Sequence, residues 1–250
     1  QLHYDKTARQ LGLLSQVGPK KYEILPVPKC LLPRKRIYEK LSSLYQGPWW
    51  ELPELKNEPE KGVIVLTEKS TGEIGVDLNS DYAGGSFTQV HDEMNTLAQQ
   101  LIQEFITHEV APNGQCLDLF GGQGNLSASS QLGETWVVDY AKDKTTQAEH
   151  QHYLSCDLFK TSASELEKRL PSHFSPELLI ADPPRSGFKQ LTQYMEHFAP
   201  QKLILMSCQS STLVRDLEEF SKYTIQQVKL LDFFPGTFHF ETLLFLTRED

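Results

Sequence analysis

From residue 116 onward, short apolar runs alternate with stretches of helical spacing. CLDLF (116–120), TWVVDY (135–140), HYLSCDLF (152–159), ELLIADPP (177–184) and KLILMSC (202–208) read as five strands. Residues 162–170, LTQYMEHF (191–198) and STLVRDLEEFSK (211–222) read as the helices between them. TIQQVKLLDFF and HFETLLFLT read as a closing antiparallel pair. Strands this apolar, alternating with helices, predict a parallel sheet covered on both faces. That is a doubly wound, Rossmann-like α/β fold, whose ligands lie beyond the carboxyl ends of the strands.

Ahead of this pattern, HDEMNTLAQQLIQEFITHEV (91–110) places Met94, Leu97, Leu101, Ile102 and Phe105 on one face of a long helix. GVIVLTE (62–68) and EIGVDL (73–78), separated by KSTG, predict a β-hairpin. RIYEKLSSLYQ (36–46) predicts a helix, and Ala83-Gly84-Gly85 a turn. The rest of residues 1–60 reads as irregular, broken by Pro26, Pro28, Pro33, Pro48, Pro53 and Pro59. The expected division is a small α+β segment over 1–84 and the doubly wound domain over 85–250.

Composition narrows the class. The 250 residues carry 24 Lys and Arg against 33 Asp and Glu, a net charge of −9. The charge is uneven: residues 1–40 hold nine basic and three acidic side chains, a basic head on an acidic body. Such a split suggests a nucleic-acid contact, but from charge alone a solvated surface is the favoured reading. No run of ~18 apolar residues is present to form a membrane span. The start, QLHYDKTARQ, lacks an initiator Met and the apolar core of a signal peptide. Four widely spaced cysteines do not form a disulfide framework, and no CxxC pair points to a metal, so a reducing cytoplasm is the expected setting.

The candidate chemistry gathers at the predicted strand ends. DLFGGQGNLS (118–127) follows the first long strand, where Gly121, Gly122 and Gly124 allow a sharp turn and close backbone approach to a ligand. The spacing is not GxGxxG, which disfavours a dinucleotide pyrophosphate cradle. Asp139 ends the second strand, placed to accept from ribose hydroxyls, and Asp157 ends the third, near where an adenine edge would lie. Either acid alone reads as a surface or capping residue; the three features together favour a nucleoside-containing cofactor such as S-adenosylmethionine. DPPRSG (182–187) aims Asp182 and Arg185 into the crevice, its prolines stiffening the backbone. Cys208 precedes a helix expected to be capped by Ser211 or Thr212, a placement that favours a thiolate. His239 and Glu241 share one side of the last strand. Glu241 is either an edge-strand surface carboxylate or, in its apolar setting, a base of raised pKa.

Taken in order, FTQVH (87–91), DLFGGQGN (118–125), Asp139, DPPRSG (182–187), SCQSSTLVRD (207–216) and FPGTFHFE (234–241) resemble the motifs of the S-adenosylmethionine-dependent RNA uracil-C5-methyltransferase family, which makes 5-methyluridine in tRNA and rRNA. The resemblance implies a class I methyltransferase sheet and S-adenosyl-L-methionine as cofactor. It puts Gln89, Phe120, Gly122, Asn125, Asp139, Asp157 and Asp182 on cofactor-binding positions, Cys208 on the nucleophile and Glu241 on the general base. Asp182 and Arg185 would also order the uracil. RNA is the implied partner, with no membrane, metal or obligate protein partner evident. The small RNA-binding β-barrel of many members, and three further cysteines of the iron–sulfur site that Cys30 would complete in some, are expected to be absent from this chain. Ser210 stands where the family has Pro and His91 where Asn is usual. The competing readings are a Rossmann-type methyltransferase for another base or a small molecule, and a catalytically silent RNA-binding relative.

On this reading the basic head contributes RNA affinity rather than chemistry. Neutralising Arg34, Lys35 and Arg36 together is expected to weaken RNA binding and flatten its salt dependence. An unchanged salt slope would mark the three as solvated surface.

Overall fold

The computed structural model describes residues 1–30, 33–68, 71–79, 91–129, 131–140, 146, 148–218, 220–235 and 239–249. Gln89 and the Ala83-Gly84-Gly85 turn lie outside the described residues. The chain divides into two units, Gln1–Thr88 and Gln89–Asp250.

The first unit is built on an antiparallel sheet in the order β3-β2-β1-β4-β5. Its strands are β1 (Leu2–Asp5), β2 (Gln10–Gly18), β3 (Lys21–Leu25), β4 (Lys61–Glu68) and β5 (Ile74–Leu78). Helix α1 (Lys35–Gln46) adds Leu41 and Leu44 to a core with Leu2, Tyr4, Leu11, Trp49, Leu55 and Ile64. The hairpin over 62–78 and the helix were expected. The three strands within residues 2–25 were not, and they correct the irregular reading of that stretch. Two facts hid them. Their turns place Arg9 at φ +51° and Lys20 at φ +58°, where sequence reasoning looks for Gly or Asn. Consecutive Leu13 and Leu14 are both exposed, which blurs the alternation of β2. Within the basic head, Arg36 donates to the Gly72 carbonyl at 2.8 Å and lies 3.9 Å from Glu68, so part of its charge is already met.

The second unit holds a seven-stranded sheet in the order β11-β12-β10-β9-β6-β7-β8. These strands are β6 (Cys116–Leu119), β7 (Thr135–Asp139), β8 (Gln151–Ser155), β9 (Leu178–Ala181), β10 (Lys202–Ser207), β11 (Tyr223–Leu231) and β12 (Glu241–Arg248). β6 to β10 run parallel, and β12 enters antiparallel between β10 and β11. Their continuous apolar runs split by alternation onto two faces. Leu117, Leu119, Leu179, Leu203, Leu205 and Leu244 meet helices α3 (Ala163–Glu167), α4 (Leu191–Phe198) and α5 (Ser210–Leu217). Cys116, Leu178, Ile180, Ile204, Leu243 and Phe245 meet α2 (Asp92–Glu109).

Helix α2 buries Ala98, Ile102, Phe105 and Ile106, while Leu97 turns outward, so its contact stripe is rotated from the one expected. His91 caps α2, its Nδ1 accepting from the Met94 N–H at 3.3 Å. Edge strand β11 has a bulge: Ile225 pairs with Leu246 and Gln227 with Phe245, leaving Gln226 as the extra residue. Among the described residues no helix is long and apolar enough to cross a membrane. All four cysteines are free thiols.

Candidate active site

The turn after β6 is organised from below by a buried carboxylate. Asp118 has no solvent exposure. Its Oδ2 accepts from the Ser127 hydroxyl at 2.5 Å, and its Oδ1 has no hydrogen-bond partner among the described residues. Gln151, at the start of β8, donates to Ser127 Oγ at 2.9 Å and to the Gly124 carbonyl at 2.7 Å. Three side chains from two strands and the loop therefore tie the glycine turn to the sheet. Burial raises the Asp118 pKa to about 7; the Ser127 hydrogen bond opposes this and the nearby Asp139 carboxylate adds to it. A Cβ on Gly121 would lie 2.5–2.7 Å from the Asp118 carboxylate, so this position has no room for a side chain.

Above this support the backbone adopts an uncommon path. Phe120 sits at φ +58°, a region bulky residues rarely enter. Its ring is held edge-on by Phe188, with centroids 4.9 Å apart, and by Phe159 at 5.5 Å. Gly122, at φ +60°, donates its N–H to Asp139 Oδ2 at 3.0 Å, and nothing lies within 4 Å of where its Cβ would be. The turn is thus fixed on one side and open on the other.

Two predicted positions are engaged locally. Asn125 exchanges side-chain hydrogen bonds with Asn95 of α2 (2.7 and 3.2 Å), and Gln99 donates to its Oδ1 at 3.0 Å. Asp157 lies two residues beyond the end of β8, pairs with Lys160 at 2.9 Å and accepts from the Phe159 N–H. These contacts hold the Asp157 carboxyl below its ordinary range, the Lys160 hydrogen bond first.

A second cluster lies across β9, β10 and β12. The ladder ends with Ser207 paired to Thr242, and just beyond it Cys208 and Glu241 lie close enough to interact electrostatically. Glu241 is 9% exposed, and burial raises its pKa to about 7, with Arg185 opposing. Cys208 is half-buried. Burial and the nearby Glu241 carboxylate raise its pKa; the Arg185 guanidinium lowers it, and Asp182 raises it again. The helix start does not deliver the thiolate expected from sequence, because burial and two carboxylates outweigh it. The cap also differs: α5 begins at Ser210 with Gln209 before it and no side-chain cap bond, and Thr212 donates back to the Gln209 carbonyl at 2.9 Å. Asp182 joins the clusters. Burial, then Glu241, Asp118 and Asp139, push its carboxyl well above the usual range.

Sequence reading singled out Asp139, Asp182, Arg185, Cys208 and Glu241, which interact here, but missed Asp118, Ser127, Gln151, Asn95 and Gln99. The available signal was one charged residue inside an apolar strand, Cys-Leu-Asp-Leu (116–119). A carboxylate there needs partners from elsewhere. Chemically, the arrangement offers a thiol, a base near neutrality, a shared guanidinium and a carboxyl-rich turn.

Comparison with known proteins places these residues in context. Residues 162–249 match the family described as tRNA (uracil-5-)-methyltransferase. The 23S rRNA (uracil(1939)-C(5))-methyltransferase of Marinomonas posidonica is 31% identical over 183 residues, 69% of this chain and 41% of its own length. The 23S rRNA (uracil(747)-C(5))-methyltransferase of Shewanella halifaxensis is 31% identical over 171 residues, 66% of this chain and 45% of its own. The chain spans less than half the length of either relative. The crystal structure of Pyrococcus abyssi tRNA (uracil-54, C5)-methyltransferase with S-adenosyl-L-homocysteine shares the fold, with TM-score 0.51 and 18% identity over 74% of this chain and 44% of that one.

The buried Asp118 gives a pH signature. Its carboxyl holds a proton more tightly folded than unfolded, so its contribution to stability is full below about pH 4 and is lost as pH rises through about 7. Asp118→Asn keeps the acceptor for Ser127 and cannot ionise. Thermal unfolding at pH 5 and pH 8 should show the variant gaining on the parent at pH 8, by at most roughly 3 kcal/mol. Equal differences at both pH values would contradict the assigned protonation.

Proposed function

We propose that this chain, whose residues 162–249 match the tRNA (uracil-5-)-methyltransferase family, methylates C5 of a uridine in tRNA or rRNA by way of a covalent cysteine adduct. The observation that carries the reading is the proximity of Cys208 and Glu241 at the end of the β10–β12 ladder, with Arg185 interacting electrostatically with both. Attack on a base and removal of a proton from the same ring need a nucleophile and a base on one small area of surface, and this pair supplies both.

The residues at the glycine turn fit S-adenosylmethionine. One oxygen of the buried Asp118 is unmatched, the side of Gly122 is open, and the interacting carboxyls of Asp118, Asp139, Asp182 and Glu241 form an acidic cluster whose ionisation a sulfonium and an ammonium group would favour. Phe120, Gly122, Asp139 and Asp182 would hold it, with Gln89 and Asp157 on the family's positions and Asn125 acting by fixing the loop to α2. When bound, that cofactor supplies an electrophilic methyl group. Uracil C5 alone is a poor nucleophile. Addition of the Cys208 thiolate to C6 breaks the C5–C6 double bond and places the electron pair on C5 and the O4 carbonyl, making C5 able to take the methyl. Arg185 favours the thiolate that must attack. The Glu241 carboxylate then takes the C5 proton, the double bond re-forms, and Cys208 leaves as thiolate. The uridine has to leave its stack to reach this pair. An RNA substrate of this kind is met in the cytoplasm, the location proposed here.

Cys208→Ala should abolish methylation and every covalent RNA adduct while leaving cofactor affinity intact. Glu241→Gln keeps the shape but cannot accept the proton, so a protein–RNA adduct should accumulate on denaturing gels. Robust turnover by Cys208→Ala would sink the covalent mechanism; an inactive Glu241→Gln without adduct would remove the base from Glu241. In the parent the rate should rise through about pH 7 as Glu241 ionises. For the cofactor, calorimetry on Asp139→Ala should show binding weakened by roughly 1–3 kcal/mol. Unchanged affinity would take Asp139 out of the site.

A further inference from the structure

Helix α5 starts two residues after Cys208, and near its end it carries an ion pair, with a buried carboxylate and a half-exposed guanidinium, that the methylation chemistry does not use. Asp216 is 8% exposed. Its Oδ1 accepts from Arg215 Nε at 2.8 Å and from Arg215 Nη2 at 2.5 Å. Its Oδ2 accepts from the backbone N–H of Phe188 at 3.1 Å. Arg215 Nη2 also donates to the Ser186 carbonyl at 3.2 Å, and the Thr212 hydroxyl donates to the Arg185 carbonyl at 3.4 Å. Side chains of α5 thus bind the backbone of residues 185, 186 and 188. Gly187 lies between them at φ +72°, and a Cβ on it would come within 2.5 Å of Arg215 Nη2 and 2.6 Å of Asp216 Oδ2. The glycine is what lets the loop lie flat on the ion pair.

The loop so held presents Arg185, whose guanidinium lies close enough to Cys208 to lower its pKa. One helix therefore fixes both partners of that interaction: the nucleophile through its start, the guanidinium through its side chains. An ion pair needed only for stability has no reason to direct its remaining hydrogen-bonding capacity at the backbone of a neighbouring loop. Charge-assisted bonds to backbone groups are the strong, directional kind suited to holding a loop in register.

We propose that the Arg215–Asp216 pair is a positioning device that clamps residues 185–188 to α5 and thereby holds the Arg185 guanidinium against Cys208. The inference rests on the reading of Cys208 as nucleophile, but it concerns the free protein and can be read without turnover. The charged groups facing Cys208 are Glu241 from β12 and Asp182 and Arg185 from the loop after β9. Of these only Arg185 favours the thiolate.

The test is the pH dependence of iodoacetamide alkylation in the whole protein without cofactor, with Cys208 resolved from Cys30, Cys116 and Cys156 by peptide mass spectrometry. Arg185→Gln should raise the midpoint for Cys208 by about one pH unit. Asp216→Asn keeps an acceptor for the Phe188 N–H but loses the charge that holds Arg215, and should shift the midpoint in the same direction. In an Arg185→Gln background, Asp216→Asn should add nothing further, because the clamp acts through Arg185. Should Asp216→Asn not fold, Arg215→Lys keeps a cation for Asp216 but loses the planar fork that also reaches Ser186, and the same upward shift is expected. A folded variant with the parental midpoint, or equal shifts with and without Arg185, would overturn the clamp. Turnover by Cys208→Ala, with the alkylation shifts intact, would instead strike the nucleophile reading and leave the clamp standing.

Discussion

In an antiparallel ladder the residue numbers of paired positions sum to a constant, so the rung joining Ser207 to Thr242 leaves Cys208 and Glu241 near each other just beyond it. Cys208 meets Glu241 because β12 runs against β10; a parallel strand in that slot would send the carboxylate to the far end of the sheet. Parallel β9 and β6 then present the ends of their own runs on the same edge, bringing Asp182 and the glycine turn to that pair. One reversed strand in a mostly parallel sheet therefore brings the thiol and the base together.

That edge collects negative charge, and the fold tolerates it by keeping part of it protonated. Burial holds Asp118 and Glu241 near neutrality and Asp182 well above its usual range, and neighbouring carboxylates add to it at Asp118 and Asp182. Like charges so close cannot all ionise without cost. A cationic ligand would relieve the repulsion, which makes affinity and protonation two aspects of one arrangement. Arg185 is the one cation that acts on both Cys208 and Glu241 in this balance, and its placement by α5 matters for that reason.

The strands of the second unit were legible because β9 and β10 are nearly unbroken apolar runs ending at Asp-Pro or Cys-Gln, and β6 is a run broken only by Asp118 that leads into the glycine turn. β1 to β3 were not, since their turns rest on Arg9 and Lys20 in left-handed conformations, and no residue type announces that. Site residues were visible singly, as polar side chains at strand ends. Their partners were hidden by distance along the chain: Gln151 reaches Ser127 and Gly124 only after β8 has been placed beyond β7. Arg215 and Asp216 could be read as part of a motif but not as a clamp, because what they hold is the backbone of a loop 28 residues earlier. Side-chain chemistry shows in sequence, and long-range hydrogen-bond geometry does not.

The bulge in β11 bears on how the molecule behaves at high concentration. A nine-residue strand at the rim of a sheet, with Ile225, Val228 and Leu230 exposed, carries an unpaired row of N–H and C=O groups that a second chain could extend. The extra Gln226 breaks the even spacing of that row, and Lys229 carries a charge that an incoming strand would have to strip of water. The irregularity thus works as a guard against edge-to-edge aggregation, placed on the rim where the sheet is least covered.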